Sequence, residues 1–298
     1  MNPYWLSKNE VCEKGLRYVR DQKASQTNTT YEAKAESFHH YYGSTPSAVT
    51  QLWHDLIPVL SKKDQSENGF HRFLMAQYFL WTYPKNRFII ANAFQVCDKY
   101  ASGKNIWSMI EAISRLKSSK IFWNVDFDKD HTEIFIVSVD GTDFCIWEPK
   151  HPNLPLNKDF YSHKHKRSAL RYEIAIALKE SQIVWISGPH RGGKSDLQIF
   201  NEEHGLGEKI CHGKKAIADG TYKGSLKLAP PDCLESKGLQ NFKSRARLRQ
   251  ETLNGRLKKF AALEQTFRHG LQKHKLAFEA ICVIVQNTMN CGSGLYDV

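Results

Sequence analysis

Three carboxylates occupy positions in this sequence from which they could act on one substrate. Asp140 ends a strand-like run in VSVDGTD, Asp219 ends another in AIADGTY, and Glu251 lies in the basic segment RARLRQETLNGRLKKF. A carboxylate at a strand end followed by Gly-Thr projects from the edge of a sheet, and two such ends on neighbouring strands can converge. A single acidic residue at a strand end is ordinarily a cap or a surface group. The order strand, strand, basic helix is what favours a shared site.

Carboxylates that converge repel one another unless a cation lies between them. Their oxygen atoms suit Mg²⁺ or Mn²⁺. Two such ions, roughly 3.5–4 Å apart, can hold both the attacking and the leaving oxygen of an in-line phosphoryl displacement. We therefore predict that Asp140, Asp219 and Glu251 are catalytic and bind metal. Asp140 would bridge two ions, and each of the other two carboxylates would hold one.

The elements that must position these residues can be read from hydrophobic periodicity. Strands are predicted at 133–141, 171–178, 182–187 and 214–220. Because no helix separates the first three strands, they should form an antiparallel meander, whereas a short helix before the fourth implies a parallel crossover. Two long helices are predicted at about 239–264 and 274–289. The pattern indicates a mixed α/β sheet with these C-terminal helices packed on it.

The predicted helix around Glu251 can place that carboxylate towards the sheet edge. Arg247, Glu251, Asn254 and Lys258 fall on one stripe, and Leu253, Leu257 and Phe260 fall on another. The apolar stripe can then pack on the sheet while Glu251 faces the two aspartates.

The part of the chain before residue 126 is predicted to be a helical region. Residues 1–45 are polar and read as irregular. Thr45 is a suitable N-cap for a helix that begins at Pro46. Residues 70–117 read as three short helices joined by tight turns, which suits either a helix-turn-helix that binds DNA or a bundle that only packs.

Composition favours an anionic polymer as the partner of this chain. It has 298 residues, a formal net charge of +11 and a pI of about 9.2, and 12% aromatic residues exclude a disordered basic tail as its whole structure. Seven scattered cysteines without a C-x-x-C pair support neither a zinc ribbon nor a disulfide framework, so a reducing, intracellular compartment fits best. No signal-peptide core or transmembrane-length apolar run is apparent, so we expect neither secretion nor a membrane partner.

The basic residues concentrate late in the chain. Between Lys237 and Lys275 there are 11 Lys and Arg residues and two acidic residues. Such a run repels itself unless it meets phosphates, although a charge run is more often a solvated face. The residues predicted to contact DNA are Arg245, Arg247, Arg249, Arg256, Lys258 and Lys259. A second basic patch, SHKHKR at 162–167, reads as a surface loop.

The stretch SGPHRGGKSD raises a different possibility. Gly188–Ser195 fits the G-x-x-x-x-G-K-[ST] pattern of a loop that cradles nucleotide phosphates. However, Pro189 removes one backbone donor, and the helix that could follow is short. A P-loop nucleotide hydrolase therefore remains a lesser alternative to a Gly-rich turn between a strand and a helix.

Taken together, these segments resemble the DDE transposase superfamily, specifically its Harbinger-like nuclease domain. The resemblance covers roughly residues 130–290 and is carried by VSVDGTDF, SHKHKRSALRYEIAIAL, GPHRGGKSDLQIF, KKAIADGTY, SRARLRQETLNGRLKKF and RHGLQKHKLAFEAICVIVQ. It implies a ribonuclease-H-like mixed sheet flanked by helices at 126–298, with divalent-metal-dependent cleavage and joining of DNA strands. In this resemblance Asp140, Asp219 and Glu251 correspond to the acidic triad.

The same resemblance assigns further roles. Gly188, Pro189 and Asp196 correspond to a structural turn after the third strand, where Asp196 is expected to cap the next helix. The N-terminal region, 1–125, matches less closely, and the helix-turn-helix at 70–117 is similar in position to that of such transposases. Transposon ends and target DNA are the implied partners, with a separate Myb-like protein, a homo-oligomer and a nuclear location in a eukaryote. The alternative is a domesticated DNA-binding protein that keeps the fold without transposing.

Overall fold

The computed structural model describes residues 4–123, 133–148 and 158–298. The chain divides into two compact units by its internal contacts. The helical unit contains the residues up to Lys120 together with Lys258–Gln265 and Leu276–Ser293, and the sheet unit contains Ile121–Leu257, Thr266–Lys275 and Gly294–Val298. The predicted domain boundary at 125/126 lies outside the described residues.

The N-terminal part of the helical unit is regular where the sequence was expected to be irregular. Two helices occupy residues 1–45, because each begins at a hydroxyl N-cap: Ser7, which forms a capping box with Glu10, and Thr30. Their buried stripes are narrow, which is why the segment looks polar overall. The helices of this part of the chain are α1 (Lys8–Tyr18), α2 (Tyr31–Tyr42), α3 (Pro46–Leu56), α4 (Glu67–Thr82), α5 (Arg87–Phe94), α6 (Gly103–Arg115) and α7 (Lys117–Lys120).

The predicted helices in residues 46–117 are confirmed. The Thr45 hydroxyl accepts from the Ala48 N–H at the start of α3, as expected. Helix α4 ends at Tyr83, which adopts a left-handed φ of 41° directly before Pro84. The rings of Phe79 in α4 and Trp107 in α6 meet edge to face, with centroids 5.5 Å apart. Whether these helices bind DNA stays a prediction.

The sheet unit is built on six strands. Three of them, in the order β4–β3–β1, run antiparallel, and β5 and β6 continue the sheet parallel to β1. This confirms the predicted meander and crossover. The elements are β1 (Phe135–Cys145), β2 (Tyr161–Ser162), β3 (Arg167–Ala177), β4 (Ile183–Arg191), α8 (Asp196–Phe200), α9 (Leu206–Lys209), β5 (Lys215–Ile217) and β6 (Leu228–Ala229).

One face of the sheet is covered by the segment between β4 and β6. Val137 and Val139 of β1 and Ala175 and Ala177 of β3 point to this face. They pack in one buried core with Phe200, Leu206, Ile210 and Tyr222. The crossover therefore supplies the apolar cover that fixes where β5 ends.

The C-terminal helices differ from the prediction in one way. The expected helix at 239–264 is two helices, α10 (Lys237–Lys258) and α11 (Ala261–Glu264), and the last is α12 (Leu271–Asn290). Residues 276–293 of α12 belong to the helical unit, and the expected packing of this helix on the sheet stays a prediction. Within the helical unit, the Glu279 carboxylate lies 2.7 Å from the Lys117 ammonium. No helix among the described residues is long and apolar enough to span a bilayer.

Helix α10 is fixed to the sheet by polar groups as well as by leucines. The Arg249 side chain is 1% exposed, and its guanidinium donates to the carbonyls of Ala177 (2.6 Å), Leu178 (2.7 Å) and Glu180. These carbonyls lie at the end of β3, where the ladder leaves them without a strand partner on that side. Arg249 therefore joins α10 to the sheet. Its predicted contact with DNA is wrong, because a guanidinium buried among carbonyls is not available to a phosphate.

Arg249→Met should lower the free energy of unfolding by about 2–4 kcal/mol, because it leaves buried carbonyl groups without donors. Urea denaturation at neutral pH measures this. Arg245→Met is the matched control: Arg245 is exposed and donates to the Asp297 carbonyl at the surface, so its loss should cost less than about 1 kcal/mol. Equal effects of the two substitutions would contradict the structural role of Arg249.

Candidate functional site

The sheet register brings two of the predicted carboxylates to one place. Ser138 in β1 pairs with Ile217 in the parallel strand β5. Asp140 comes two residues after Ser138, and Asp219 comes two residues after Ile217. The two aspartates therefore lie at the same height along the strands, at the carboxyl end of β5. The Asp219 charge is one of the causes that raise the pKa of Asp140. The structure thus brings Asp140 near Asp219, although β1 continues to Cys145 and Asp140 is not the strand end that the sequence predicted. The catalytic and metal-binding roles of these two residues stay predictions.

Asp219 is held in a defined orientation by the turn that follows it. Its Oδ1 accepts from the Thr221 N–H at 2.8 Å and from the Thr221 hydroxyl. This is the capping geometry of a short 3-10 turn, Gly220–Tyr222. The Gly-Thr that follows the aspartate in the sequence therefore serves to orient its carboxylate.

Asp196 is a third carboxylate at this site, and the sequence analysis assigned it another role. We expected Asp196 to cap α8, but the N-cap is Ser195, which forms a capping box with Gln198. Asp196 Oδ2 instead accepts from the Thr221 hydroxyl at 3.1 Å, so one threonine links Asp196 with Asp219. The sequence analysis had singled out Asp196 through the family resemblance, but it did not separate an N-cap from the residue after it.

The close approach of Asp196 depends on Gly141. A Cβ at residue 141 would lie 2.0 Å from Asp196 Oδ1, so any other residue would displace this carboxylate. Gly141 follows Asp140 directly in β1. The glycine of VSVDGTD is therefore required by the packing of the acidic site.

The crowding of these carboxylates changes their protonation. Burial is the largest cause that raises the pKa of Asp140 to about 7, and the charges of Asp219 and Asp196 raise it further. Lys164 and the Gly141 N–H oppose this shift. Burial also raises the pKa of Asp196, against the opposing charge of Arg171. A cation between these groups would remove the repulsion.

Glu251 differs from the aspartates in its surroundings. Its side chain is exposed on α10, while Gln250 and Asn254 on the same helix face β1. The Ser138 hydroxyl donates to Gln250 Oε1 at 3.1 Å, and Asn254 Nδ2 donates to Asp140 Oδ2 at 2.7 Å. The helix thus presents amide side chains to the middle of β1. Asn254 is a residue beside the acidic cluster that the sequence analysis placed on the Glu251 stripe without a role.

The carboxylate oxygens of Asp140, Asp196 and Asp219 are the type of ligand that a hard divalent cation such as Mg²⁺ takes. Within residues 4–123, 133–148 and 158–298, no group of three His, Cys, Asp or Glu side chains is arranged to hold a metal ion. Mg²⁺ is commonly bound through one or two carboxylates, with water and substrate phosphates completing its shell. Metal binding by Asp140 and Asp219 in that mode stays a prediction.

An ion pair behind the site orients Asp196. Arg171 donates from Nε to Asp143 Oδ1 at 2.7 Å, and its Nη1 lies 3.3 Å from Asp196 Oδ1. Nη1 also donates to the Lys194 carbonyl at 2.8 Å. Asp143 is 4% exposed, and the Arg171 guanidinium holds the pKa of this carboxyl below its usual range, against the effect of burial. Asp143 is therefore a structural partner of Arg171.

A fourth carboxylate lies buried under the site. Glu173 is 0% exposed, and its Oε1 accepts from Trp185 Nε1 at 3.1 Å. Burial raises the pKa of Glu173 to about 8, with a further contribution from the Asp196 charge. Neither the alternating strand pattern nor a motif distinguishes this glutamate in the sequence. It carries a proton at neutral pH, so it adds no charge to the acidic cluster there.

The segment Gly188–Ser195, which fits the G-x-x-x-x-G-K-[ST] pattern, does not form a phosphate-binding loop. The backbone N–H groups of Gly192, Gly193 and Lys194 already donate to carbonyls of the protein, at 2.8–3.0 Å. The Ser195 hydroxyl caps α8, and the Lys194 ammonium pairs with Glu202. A nucleotide would have to displace all of these interactions.

The predicted turn at Gly188 and Pro189 is also wrong, because both residues lie within β4, which continues to Arg191. Tyr172 of β3 lies opposite two residues of β4, Gly188 and Pro189, so the strand bulges. Gly188 has a φ of +130°, and a Cβ there would lie 2.6 Å from the Tyr172 ring. The Gly188-Pro189 pair therefore forms a bulge, and the chain turns later, before Asp196.

The basic residues predicted to bind DNA have different exposures. Arg245 and Lys259 are exposed, whereas Arg247, Arg256 and Lys258 are half-buried. Arg256 Nη2 also donates to the Gly294 carbonyl at 3.0 Å. These five residues remain predictions as phosphate contacts.

Asp140→Asn should raise the melting temperature at pH 8, because it removes a carboxylate charge that burial and its neighbours disfavour. The sign follows from the raised pKa: between about pH 4 and 7 the folded state binds a proton that the unfolded state has released, so this group's contribution to stability falls as pH rises. The gain should therefore disappear near pH 4. In a chain of this size, each kcal/mol corresponds to about 2–4 °C, measured by thermal unfolding across pH.

Asp143→Asn is the matched control and should have the opposite sign. Its lowered pKa means that the carboxylate stabilises the fold above the unfolded pKa and loses this effect as pH falls through the folded value. At pH 8 the substitution should cost about 3 kcal/mol, because Arg171 loses its buried partner. Destabilisation by Asp140→Asn at pH 8 would show that the cluster is not repulsive.

Comparison with known proteins connects this geometry to one family. Residues 139–286 match the family model described as DDE superfamily endonuclease. No curated protein and no solved structure matches the chain. The matched segment begins beside Asp140 and contains Asp196, Asp219 and Glu251. The match supports a DDE transposase-like family for this chain and, with it, a nuclease-like function that acts on DNA.

Proposed function

We propose that this protein is a metal-dependent DNA transposase of the Harbinger-like type, or a nuclease derived from one. The observation that carries this proposal is the convergence of Asp140, Asp219 and Asp196 at one sheet edge, inside the segment that matches an endonuclease family. We further propose that the sheet is ribonuclease-H-like. Its three antiparallel strands followed by two parallel ones support that assignment.

In this proposal Asp140 and Asp219 hold one or two Mg²⁺ or Mn²⁺ ions. The ion supplies stabilisation of the charge that develops on the attacking and leaving oxygens of a phosphodiester. The third carboxylate is Glu251, as the sequence predicts, or Asp196, which Thr221 links to Asp219. The protein's own groups orient the ligands: Asn254 donates to Asp140, and Thr221 donates to Asp219.

DNA is the proposed substrate, as transposon ends and as target. The net charge of +11 and the exposed Arg245 and Lys259 support binding to phosphates. Lys164 is near enough to Asp140 to lower its pKa, so a cation accompanies the acidic site. A Myb-like partner, a homo-oligomer and a nuclear location belong to the same proposal through the Harbinger-like resemblance.

A second candidate is a DNA-binding protein that keeps the fold but does not cleave. The observation that favours it is the exposed position of Glu251, together with the amide of Asn254 facing Asp140 where a third carboxylate would complete the site. The two candidates differ in one measurable property, which is metal-dependent cleavage by the purified protein.

Nicking of a terminal-repeat duplex in Mn²⁺ tests the first candidate. Asp140→Asn should reduce nicking by about two orders of magnitude or more, because the lost ligand charge gives up several kcal/mol of stabilisation, while DNA binding is retained. Glu251→Gln and Asp196→Asn identify the third carboxylate: the variant that loses nicking without losing binding marks it. Lys223→Gln, a change of charge outside the acidic cluster, is the control.

Each outcome of this experiment decides between the candidates. Duplex binding by the wild-type chain without nicking would favour the non-cleaving protein. Robust nicking by Asp140→Asn would place the chemistry elsewhere in the chain.

The P-loop alternative has its own test. Because the loop donors are already bonded within the protein, the wild-type chain should not bind ATP with useful affinity, and Lys194→Ala should leave nicking within a few-fold of wild type. Isothermal titration with Mg²⁺-ATP measures the first expectation. Tight binding that Lys194→Ala abolishes would restore the nucleotide hydrolase.

A further inference from the structure

A cavity of about 880 Å³ opens on the sheet unit beside the β2–β3 hairpin. This volume lies within the range of about 300–1,000 Å³ that is usual for small-ligand sites. Its lining includes two large aromatic side chains, Trp147 and Tyr161. Their exposed fractions are 68% and 41%, so neither side chain is covered by the rest of the protein. An exposed tryptophan and tyrosine on one cavity wall call for an explanation, because a folded protein gains little from leaving them uncovered.

Both rings are carried by fixed backbone. The backbone N–H of Trp147 donates to the Phe267 carbonyl at 2.9 Å, next to a parallel bridge between Ile146 and Phe267. Tyr161 pairs with Ser168 in the short antiparallel ladder of β2 and β3. The Tyr161 ring also meets His163 edge to face, with centroids 5.2 Å apart. The backbone that carries the rings is already ordered, so a ligand that stacks on them loses little backbone conformational entropy.

Three cations belong to the rest of the lining. Lys158, Lys166 and Arg167 contribute to the wall, and Arg167 Nη1 donates to the Thr266 hydroxyl at 3.4 Å. Glu148 is also on the wall, where its carboxylate accepts from the Ser168 hydroxyl. A second cavity of about 520 Å³ shares Lys158, Tyr161 and His163 with the first. Its two further cations are already paired, Arg191 with Asp159 and Lys194 with Glu202. The cations that carry the argument are therefore Lys158, Lys166 and Arg167 of the first cavity.

This surface adjoins the acidic site through one hairpin. Residues 163–166 connect β2 to β3, and Lys164 in this turn is one of the charges that act on Asp140. A chain of phosphates that reaches Asp140 would therefore meet the hairpin, and its neighbouring nucleotides would meet the aromatic wall. Flat rings beside several cations are the combination that binds the bases and phosphates of a single strand.

We propose that Trp147 and Tyr161, with Lys158, Lys166 and Arg167, form a site for an unpaired nucleotide of a DNA strand that flanks the cleaved bond. The base stacks on the aromatic wall, and the adjoining phosphates contact the three cations. This inference rests on the proposed function, because it takes DNA as the substrate. It goes further in that it assigns the preference for an unpaired base to a surface outside the acidic cluster.

The test compares single-stranded oligothymidine with a duplex, using fluorescence anisotropy and the full chain in EDTA. Trp147→Ala should weaken binding of the single strand about 5- to 100-fold, which is the usual range for loss of one stacked base, and should change duplex binding far less. Tyr161→Ala should act in the same direction. Trp147→Phe and Tyr161→Phe keep an aromatic face and should restore most of the affinity.

Trp5→Ala is the matched control, since Trp5 is also exposed (57%) but stacks on His54 in the helical unit. It should leave single-strand binding unchanged. Lys166→Glu should lower single-strand affinity and flatten its dependence on salt. Equal losses for single strand and duplex with Trp147→Ala, or no loss at all, would overturn the site.

The two proposals fail in different ways. If the wild-type chain nicks a duplex through Asp140 while Trp147→Ala binds the single strand normally, the nucleotide site is wrong and the endonuclease stands. If the wild-type chain binds neither form of DNA, the substrate class itself is wrong and both proposals fall. Selective capture of an apolar peptide by this cavity would also overturn the nucleotide site.

Discussion

The electrostatic repulsion among carboxylates that lie beside the middle of β1 and the carboxyl end of β5 is the interaction on which the site depends. The parallel register of β1 and β5 places Asp140 and Asp219 at one level, and the crossover through α8 adds Asp196. Holding these carboxylates together is unfavourable, because each negative charge raises the pKa of its neighbour. The fold nevertheless holds Asp140 half-buried and orients Asp219 through Thr221. The sheet therefore keeps the carboxylates together despite their repulsion.

Several neutral or cationic groups make this cluster tolerable without a ligand. Asn254 donates to Asp140, Thr221 donates to both other aspartates, and Arg171 lies against Asp196. These groups hold the carboxylates in place, and Arg171 is itself held by Asp143. The cluster therefore has the two properties of a preorganised cation site: an unfavourable excess of negative charge, and side chains whose orientation does not depend on the cation.

The sequence predicted the sheet better than it predicted the site. Alternation of apolar residues located four strands, and the positions of helices between them correctly separated antiparallel from parallel neighbours, since both signals are local. The convergence of Asp140 and Asp219 followed from that topology. The role of Asp196 did not, because its neighbour Ser195 is an equally good N-cap and the distinction depends on a hydrogen bond to Thr221, 25 residues away.

The errors around α10 and the N-terminus have related causes. Helical spacing gave Glu251 and Asn254 one stripe, but whether a stripe faces the sheet depends on how Arg249 and Gln250 bond to strand carbonyls. A list of charges cannot show that one arginine is buried while Arg245 is exposed. In residues 1–45, capping by Ser7 and Thr30 marks the helix starts, yet the buried stripes are too narrow for composition to reveal them.

The distribution of basic residues leads to a further point about DNA. Of the cations in α10, Arg249 and Lys243 are internal, and Lys243 pairs with Glu235, so the charge of this helix exceeds the charge that it presents to solvent. By contrast, the turn of the β2–β3 hairpin is exposed at Lys164 and Lys166, and Lys164 acts directly on Asp140. Phosphate binding depends on accessible charge near the bond that is cleaved. The cations of the β2–β3 hairpin are therefore better placed to bind the phosphates of a substrate strand than the cations of α10. The longer basic run serves in part to fasten its own helix to the sheet.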